Sequence, residues 1–213
     1  MQFSEFHTKM LKVTEMELPG EAFHLKMAPI ERLLELKRKA AEKQSAKRAA
    51  VLCLFYPSTA GETYLVLILR KTYKGVHSAQ IGFPGGKAEK EDADFEATAL
   101  RETEEEVGVP RNKVTVLKEM TEIYIPPSNF FVQPYIGIMN ETPSFMKQEE
   151  EVEEILEVPL KEFMNDSLRT TRELATSYAK KIEVPAFELQ GHIVWGATAM
   201  MLNEIRELLR KTV

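Results

Sequence analysis

Residues 100–108, "LRETEEEVG", hold four glutamates. On a helix, Glu102, Glu105 and Glu106 fall within an arc of roughly 100°, because positions i, i+3 and i+4 are surface neighbours. Glu104 points to the far side and reads as solvated charge. The clustering is unfavourable on its own. Each like-charge neighbour costs roughly 0.2–0.5 kcal/mol, and each carboxylate near a helix C-terminus adds roughly 0.3–1 kcal/mol against the macrodipole. Gly108 stands where a helix-ending glycine belongs, so that end is close, and Arg101 alone does not balance three acids. Carboxylates gathered on one face are hard oxygen ligands, suited to Mg²⁺ or Mn²⁺. A divalent cation shared among them removes the repulsion. Held by few protein ligands, such an ion completes its shell with substrate phosphates and water, polarises a phosphoryl oxygen and activates a water. The competing reading is an acidic, solvent-facing helix end. An EF-hand is excluded, because its alternating Asp/Asn ligands around a central Gly are missing.

The elements that must position these residues are legible in outline. The acidic helix is predicted from about 94 to 107, with Asp92 or Asp94 as N-cap and Leu100, Thr103 and Val107 facing inward. Before it runs "KTYKGVHSAQIGFPGGKAEKEDAD", a glycine-rich polar loop of a length that is usually functional in a compact domain. "AAVLCLFYP" and "TYLVLILR" read as strands joined by "STAGE". "KVTVLKEMTEIYIP" and "NFFVQPYIGIM" read as strands around the turn "PPSN". "EEVEEILEVPLKEFMN" is a strand or short helix followed by a helix starting near Pro159. "VPAFELQGHIVWG" is a hairpin turning at Gln190-Gly191, and "ATAMMLNEIRELLRK" is an amphipathic helix. Residues 29–48 are predicted as an N-terminal helix with a basic end, whose modest apolar stripe is Ile30, Leu33, Leu34 and Leu36. Interleaved strands and helices imply an α/β layered domain with a mixed sheet.

The bulk numbers bound the function. A chain of 213 residues, 44% hydrophobic and 29% charged, fits one sizeable domain plus an extension. A net charge of −5 argues against nonspecific binding along nucleic acid, which needs a basic footprint. The longest apolar runs are far too short to span a bilayer, and residues 1–27 lack the layout of a signal peptide. The single cysteine, Cys53, has no internal disulfide partner and reads as a buried strand residue. The expectation is a cytoplasmic protein that binds no nucleic acid and no membrane, and whose partner is a small molecule.

The spacing goes further than composition. The stretch from residue 85 to 109 resembles the signature of Nudix hydrolases, Gly-x5-Glu-x7-Arg-Glu-U-x-Glu-Glu-x-Gly-U, where U is bulky and apolar. Arg101, Glu102, Glu105, Glu106, Gly108 and Val109 match their positions, and Thr103 stands at a U position. Gly86 matches when one extra residue precedes the arginine, and the acidic position of the first half then falls on Asp92. The preceding segment, "LILRKTYKGVHSAQIGFPGGK", resembles the extra motif of the coenzyme A pyrophosphatase branch, where the longer spacing and an acid at the Asp92 position also occur. Leu67, Arg70, His77, Gln80, Ile81, Phe83, Pro84, Gly85, Gly86 and Lys87 agree, whereas Lys71, Lys74 and Ala79 depart. Further similarity lies in "YIPPSNFFVQPYIG", "EVEEILEVPL" and "IVWGATAMML", so the resemblance spans roughly residues 45–205.

The resemblance implies an α/β/α sandwich with a mixed sheet and a loop-helix-loop catalytic motif. Residues 1–45 are then an N-terminal extension carrying the basic helix, and residues 46–213 a Nudix domain ending in the amphipathic helix. It implies that Glu102, Glu105 and Glu106, with the Gly86 carbonyl, hold Mg²⁺ or Mn²⁺, and that Arg101 orients the carboxylates. Water then attacks a diphosphate joined to a second moiety, which for coenzyme A or its thioesters releases 3′,5′-ADP and 4′-phosphopantetheine or its acyl form. Two alternatives stay open: a different substrate (ADP-ribose, a nucleoside triphosphate or a dinucleoside polyphosphate) or a module that senses a nucleotide without hydrolysing it. Arg70, His77, Gln80 and Lys87 are the candidate substrate contacts. Arg70 is the best phosphate partner among them, because its fork matches phosphate oxygens; His77 either touches substrate or orders its loop. The proton acceptor is left open between Glu105 and the acidic cluster at residues 149–154. By analogy with Nudix relatives, the protein is expected to pair as a homodimer.

Overall fold

The computed structural model describes residues 1–38, 45–71, 80–174 and 182–212. Its elements in chain order are α1 (Phe3–Met10), α2 (Glu21–Leu25), α3 (Ile30–Arg38), β1 (Lys47–Pro57), β2 (Thr63–Arg70), β3 (Ile81–Gly82), β4 (Gly85–Lys87) and α4 (Phe95–Val107). They continue with β5 (Val114–Glu119), β6 (Ile123–Ile125), β7 (Phe130–Met139), β8 (Val152–Pro159), α5 (Leu160–Phe163), β9 (Arg169–Leu174), β10 (Ile182–Leu189), β11 (His192–Trp195) and α6 (Gly196–Arg210).

β1 is the axis of the molecule. The main sheet runs β3-β2-β1-β7-β5, with β4 also on β1, β6 on β7 and β8 on β2. β1 lies parallel to β7, whereas its pairings with β2 and β4 are antiparallel, so the sheet is mixed. Side chains alternate across a strand, and β1 uses both faces. Ala50, Leu52, Leu54 and Tyr56 pack in one cluster with Ala99 and Val107 of α4. Ala49, Cys53 and Phe55 pack in the other with α6 and the N-terminal residues Phe3, Phe6 and Met10. Helices therefore cover both faces, the layering of an α/β sandwich. β9, β10 and β11 form a small second sheet, and Phe187, Leu189 and Val194 bring it into the α6-side cluster.

Several elements differ from the sequence reading. The helix expected over 29–48 is described only from Ile30 to Arg38, and the strand expected from 49 starts at Lys47. Lys47 and Arg48 are drawn into the sheet by parallel pairing with Phe130 and Phe131. The apolar stripe of α3 does not face inward where it is described: Ile30 and Leu34 are exposed, while Arg32 is buried and donates to the Tyr124 carbonyl at 2.9 Å. The helix expected near Pro159 is the single turn α5. Asn165 then caps a 3₁₀ turn through Ser167 N–H, and the Thr-rich β9 takes over. The loop 71–94 contains two short strands, β3 and β4, while residues 72–79 lie outside the described segments.

The N-terminal residues are built into the domain. The Phe6 ring lies 4.9 Å from Phe55, and Phe3 N–H donates to the Gly61 carbonyl at 2.8 Å. α6 is amphipathic in sequence, yet its polar side is covered. Glu204 is fully buried and meets His24 Nε2 at 2.9 Å, Gly20 N–H at 3.0 Å and the Thr121 hydroxyl at 2.5 Å. Burial alone would raise the Glu204 carboxyl, but these hydrogen bonds prevail and lower it.

α4 begins and ends as its sequence dictates. The Asp94 carboxylate accepts from Ala97 N–H at 2.8 Å, and Gly108 closes the helix in the left-handed region at φ 74°. Asp94→Ala is expected to cost about 1 kcal/mol, lowering the thermal midpoint by about 2–4 °C. An unchanged midpoint by circular dichroism would mean the cap contributes nothing.

Candidate active site

Three backbone segments meet at the acidic face of α4: the end of β2, the glycines of β4 and the stretch preceding β8. The glycines are sterically required. At Gly85 (φ 147°) a Cβ would lie 2.4 Å from the Ala50 carbonyl oxygen, so a side chain there would push β4 off β1. At Gly86 a Cβ would lie 2.4 Å from Glu102 Oε2. The missing side chain is the space that the Glu102 carboxylate occupies.

The acids are held by two arginines rather than one. Arg101 Nε and one terminal nitrogen grip both oxygens of Asp92 at 2.8 and 2.9 Å. The other terminal nitrogen reaches Glu102 at 3.0 Å and Glu105 at 3.1 Å, and the Lys87 carbonyl closes the set at 3.1 Å. Asp92 in turn accepts from Glu89 N–H and the Thr98 hydroxyl, both at 2.9 Å. Asp92 and Arg101 thus stitch the loop to the helix. Arg70 holds the third acid. One terminal nitrogen meets Glu106 Oε1 at 2.7 Å, the other donates to the Gly85 carbonyl at 2.6 Å, and Gly85 N–H donates to Glu106 Oε2 at 2.8 Å. This charge-assisted ring locks the glycine turn to α4.

Environment separates the four carboxyls. Hydrogen bonds from Arg101 hold Asp92 well below the usual carboxylate range. Burial pushes Glu106 up to about 7, with Arg70 and the Gly85 amide pulling the other way. Burial also raises Glu102, where Arg101 opposes the shift and the charges of Glu105 and Glu151 reinforce it. Glu105 is the open member, with its side chain 54% exposed against 14% for Glu102 and 2% for Glu106. Glu104, on the far side, pairs with Arg111 at 2.7 Å, as solvated charge should.

The residues singled out from sequence fall into three groups. Glu102, Glu105, Glu106, Arg101 and Gly86 come together. Arg70, the candidate phosphate contact, has both terminal nitrogens engaged by Glu106 and Gly85, because the buried carboxylate needs a partner. Lys87 is exposed at the end of β4, and the Gln80 carbonyl accepts from Arg70 N–H at 3.0 Å. His77 lies outside the described residues. One contributor went unassigned from sequence: the Gly85 amide as a donor to Glu106.

The donor set suits a divalent cation in kind, since every candidate ligand is a hard oxygen and Glu102 lies against the Gly86 backbone. Among the described residues no three acidic, histidine or cysteine side chains already converge as a metal group. The glutamate oxygens are turned to the arginines and the Gly85 amide instead.

Comparison with known proteins decides the family. The NUDIX domain profile matches residues 46–178. The chain belongs to the Nudix family. It is 34% identical over 144 residues to the Nudix hydrolase NudL of Photorhabdus laumondii, covering 67% of this chain and 75% of that one. It is 32% identical over 162 residues to Nudix hydrolase 15, mitochondrial, of Arabidopsis thaliana, covering 73% of this chain and 56% of that one. The chain therefore spans little more than half of the plant relative. In fold it is similar to the Nudix hydrolase RenU of M. smegmatis, with a TM-score of 0.54 at 16% identity over 79% of this chain and 88% of that one. As a Nudix hydrolase it is a pyrophosphohydrolase acting on acid anhydrides, of the kind in which a nucleoside diphosphate is linked to another group. The family generally uses divalent metals. Among the described residues no helix is long and apolar enough to cross a membrane.

Proposed function

We propose that this Nudix hydrolase cleaves the diphosphate of coenzyme A or its thioesters, releasing 3′,5′-ADP and (acyl-)4′-phosphopantetheine. Glu102, Glu105, Glu106 and the Gly86 carbonyl would hold Mg²⁺ or Mn²⁺, which when bound polarises a phosphoryl oxygen. The chain's own residues do the positioning. Arg101 aligns Glu102 and Glu105 through one guanidinium nitrogen, and Arg70 keeps Glu106 against the glycine turn. Lys87, exposed at the end of β4, would neutralise phosphate charge, with His77 and Gln80 as further substrate contacts. We assign catalysis to residues 46–213, with residues 1–45 as an extension whose helix α1 packs on that domain, and read the protein as a cytoplasmic homodimer.

One observation carries the substrate reading. Arg70 belongs to the segment that resembles the coenzyme A branch, and its guanidinium joins that segment to both Glu106 and Gly85. That contact of Arg70 supports reading the extra motif together with the acidic site. The departures at Lys71, Lys74 and Ala79 favour a second reading, the same chemistry on ADP-ribose, nucleoside triphosphates or dinucleoside polyphosphates.

The test is competition. Purified protein with Mg²⁺ or Mn²⁺ receives an equimolar mixture of coenzyme A, acetyl-coenzyme A, ADP-ribose and nucleoside triphosphates, and mass spectrometry follows the products. Early release of 3′,5′-ADP is the expected result. Preferential loss of another substrate would overturn the coenzyme A assignment and leave the hydrolase.

A further inference from the structure

β9 is the outer strand of the small sheet, which runs β11-β10-β9. The hairpin that closes this sheet fixes which way the backbone of β9 points. Leu189 and His192 pair across the turn Gln190-Gly191, and the closing pair of such a two-residue hairpin exchanges hydrogen bonds. In an antiparallel strand the N–H and C=O of one residue point to the same side, and successive residues alternate. Leu189, Phe187 and Pro185 therefore point towards β11, and Ala186 and Val184 towards β9. Thr170 and Arg172, registered with Ala186 and Val184, bond to β10. Arg169, Thr171 and Glu173, registered with Phe187, Pro185 and Glu183, direct their backbone groups outward. The proline fits this assignment, since it has no N–H to give Thr171. The Thr171 carbonyl takes two long side-chain contacts from its own strand, from the Thr170 hydroxyl and Arg172 Nη1, both at 3.4 Å. Among the described residues no strand pairs with this edge, and an open edge is a template for another strand.

The edge is complementary to itself. Residues 168–174 read "LRTTREL". Two β9 strands laid antiparallel about a two-fold axis at Thr171 set Arg169 opposite the partner's Glu173, Thr171 opposite the partner's Thr171, and Leu168 opposite the partner's Leu174. Arg169, Thr171 and Glu173 have exposed side chains, while Leu168 and Leu174 are half-buried. The charged and threonine pairs fall on the residues whose backbone points outward, so each is a hydrogen-bonded pair. Opposite charges and paired threonines across strands are favourable, and like charges are not. The neighbouring registers lack this match. Centred on Arg172, the pairing sets two arginines face to face; centred on Thr170, it sets Arg169 against threonine and joins no opposite charges. The present contact of Arg169, with Met27 Sδ at 3.5 Å, is a weak one for a guanidinium to leave.

We propose that the outer edge of β9 is the surface through which two copies of this chain associate, joining their small sheets into one continuous antiparallel sheet. This rests on the homodimer reading and names the surface that makes the dimer.

Analytical ultracentrifugation of the full chain is the test, with circular dichroism as the check on folding. The wild type is expected to sediment as a dimer. Thr171→Pro removes an outward N–H without breaking a bond to β10, and is expected to give a folded monomer. Glu173→Arg sets an arginine against Arg169 of the partner subunit and is expected to raise the dimer dissociation constant at least about 10-fold. Adding Arg169→Glu restores opposite charges in both pairs, and the constant is expected to return to within about threefold of wild type. That rescue decides the matter even where the proline variant fails to fold. A double variant as weak as Glu173→Arg alone overturns the proposal. A dimer indifferent to all these variants also overturns it, and leaves the homodimer reading standing. A monomeric wild type overturns the homodimer reading, and the proposal with it.

Discussion

Arg70→Met is expected to destabilise the protein by about 2–4 kcal/mol, because it leaves the carboxylate of Glu106 buried without its cation. For a domain of this size that lowers the thermal midpoint by roughly 4–16 °C. The figure sits below the full cost of breaking a buried pair because Arg70 is 23% exposed, and because Glu106, already raised to about 7, can take a proton. The Gly85 carbonyl loses its donor at the same time. Adding Glu106→Gln to Arg70→Met removes the stranded charge, so the double variant is expected to regain much of the lost stability. Activity is not expected to return, since the third acid is then gone. Thermal unfolding of the two single variants and the double variant gives the coupling directly. An Arg70→Met protein as stable as the wild type would mean that the pair does not lock the glycine turn.

Glu105→Gln is expected to behave in the opposite way. Stability should stay within about 0.5 kcal/mol of wild type, because two small effects offset each other. The exposed pairing with Arg101 is worth about 0.2–1 kcal/mol, while removing a charge from the C-terminal turn returns about 0.3–1 kcal/mol of macrodipole penalty. Activity should fall about 1000-fold, the scale seen when a group stabilising transition-state charge is removed. A folded, equally stable and inactive protein separates a chemical role from a structural one. A kcat within tenfold of wild type would make Glu105 ordinary solvated charge, like Glu104.

The acidic helix was legible in the sequence because its signals are local. Asp94 and Gly108 mark its ends, and the i, i+3, i+4 spacing sets the arc of acids. The Gln190-Gly191 turn was legible for the same reason, since both residues take positive φ, at 50° and 77°. What compensates the acids was only half legible. Arg101 is one residue from Glu102, whereas Arg70 and Glu106 are 36 residues apart and meet only once β2 and α4 pack. A lone arginine ending an apolar strand reads equally well as a phosphate contact. β3 and β4 span two and three residues, too short for any alternation to register, and they exist because β1 and β2 offer them partners. The N-terminal helix α1 left a faint trace, Phe3, Phe6 and Met10 at helical spacing. Only the tertiary structure shows that these residues meet the same core as Phe55.

The central claim is that the three glutamates of α4 serve a divalent cation in hydrolysis of a diphosphate. The most direct test follows hydrolysis of coenzyme A and ADP-ribose by metal-depleted protein as Mg²⁺ or Mn²⁺ is added back, in the wild type and in Glu105→Gln. The expected result is no turnover in chelator, recovery that saturates with added metal in the wild type, and little recovery in the variant. Turnover that persists without metal, or that Glu105→Gln leaves intact, would contradict the account.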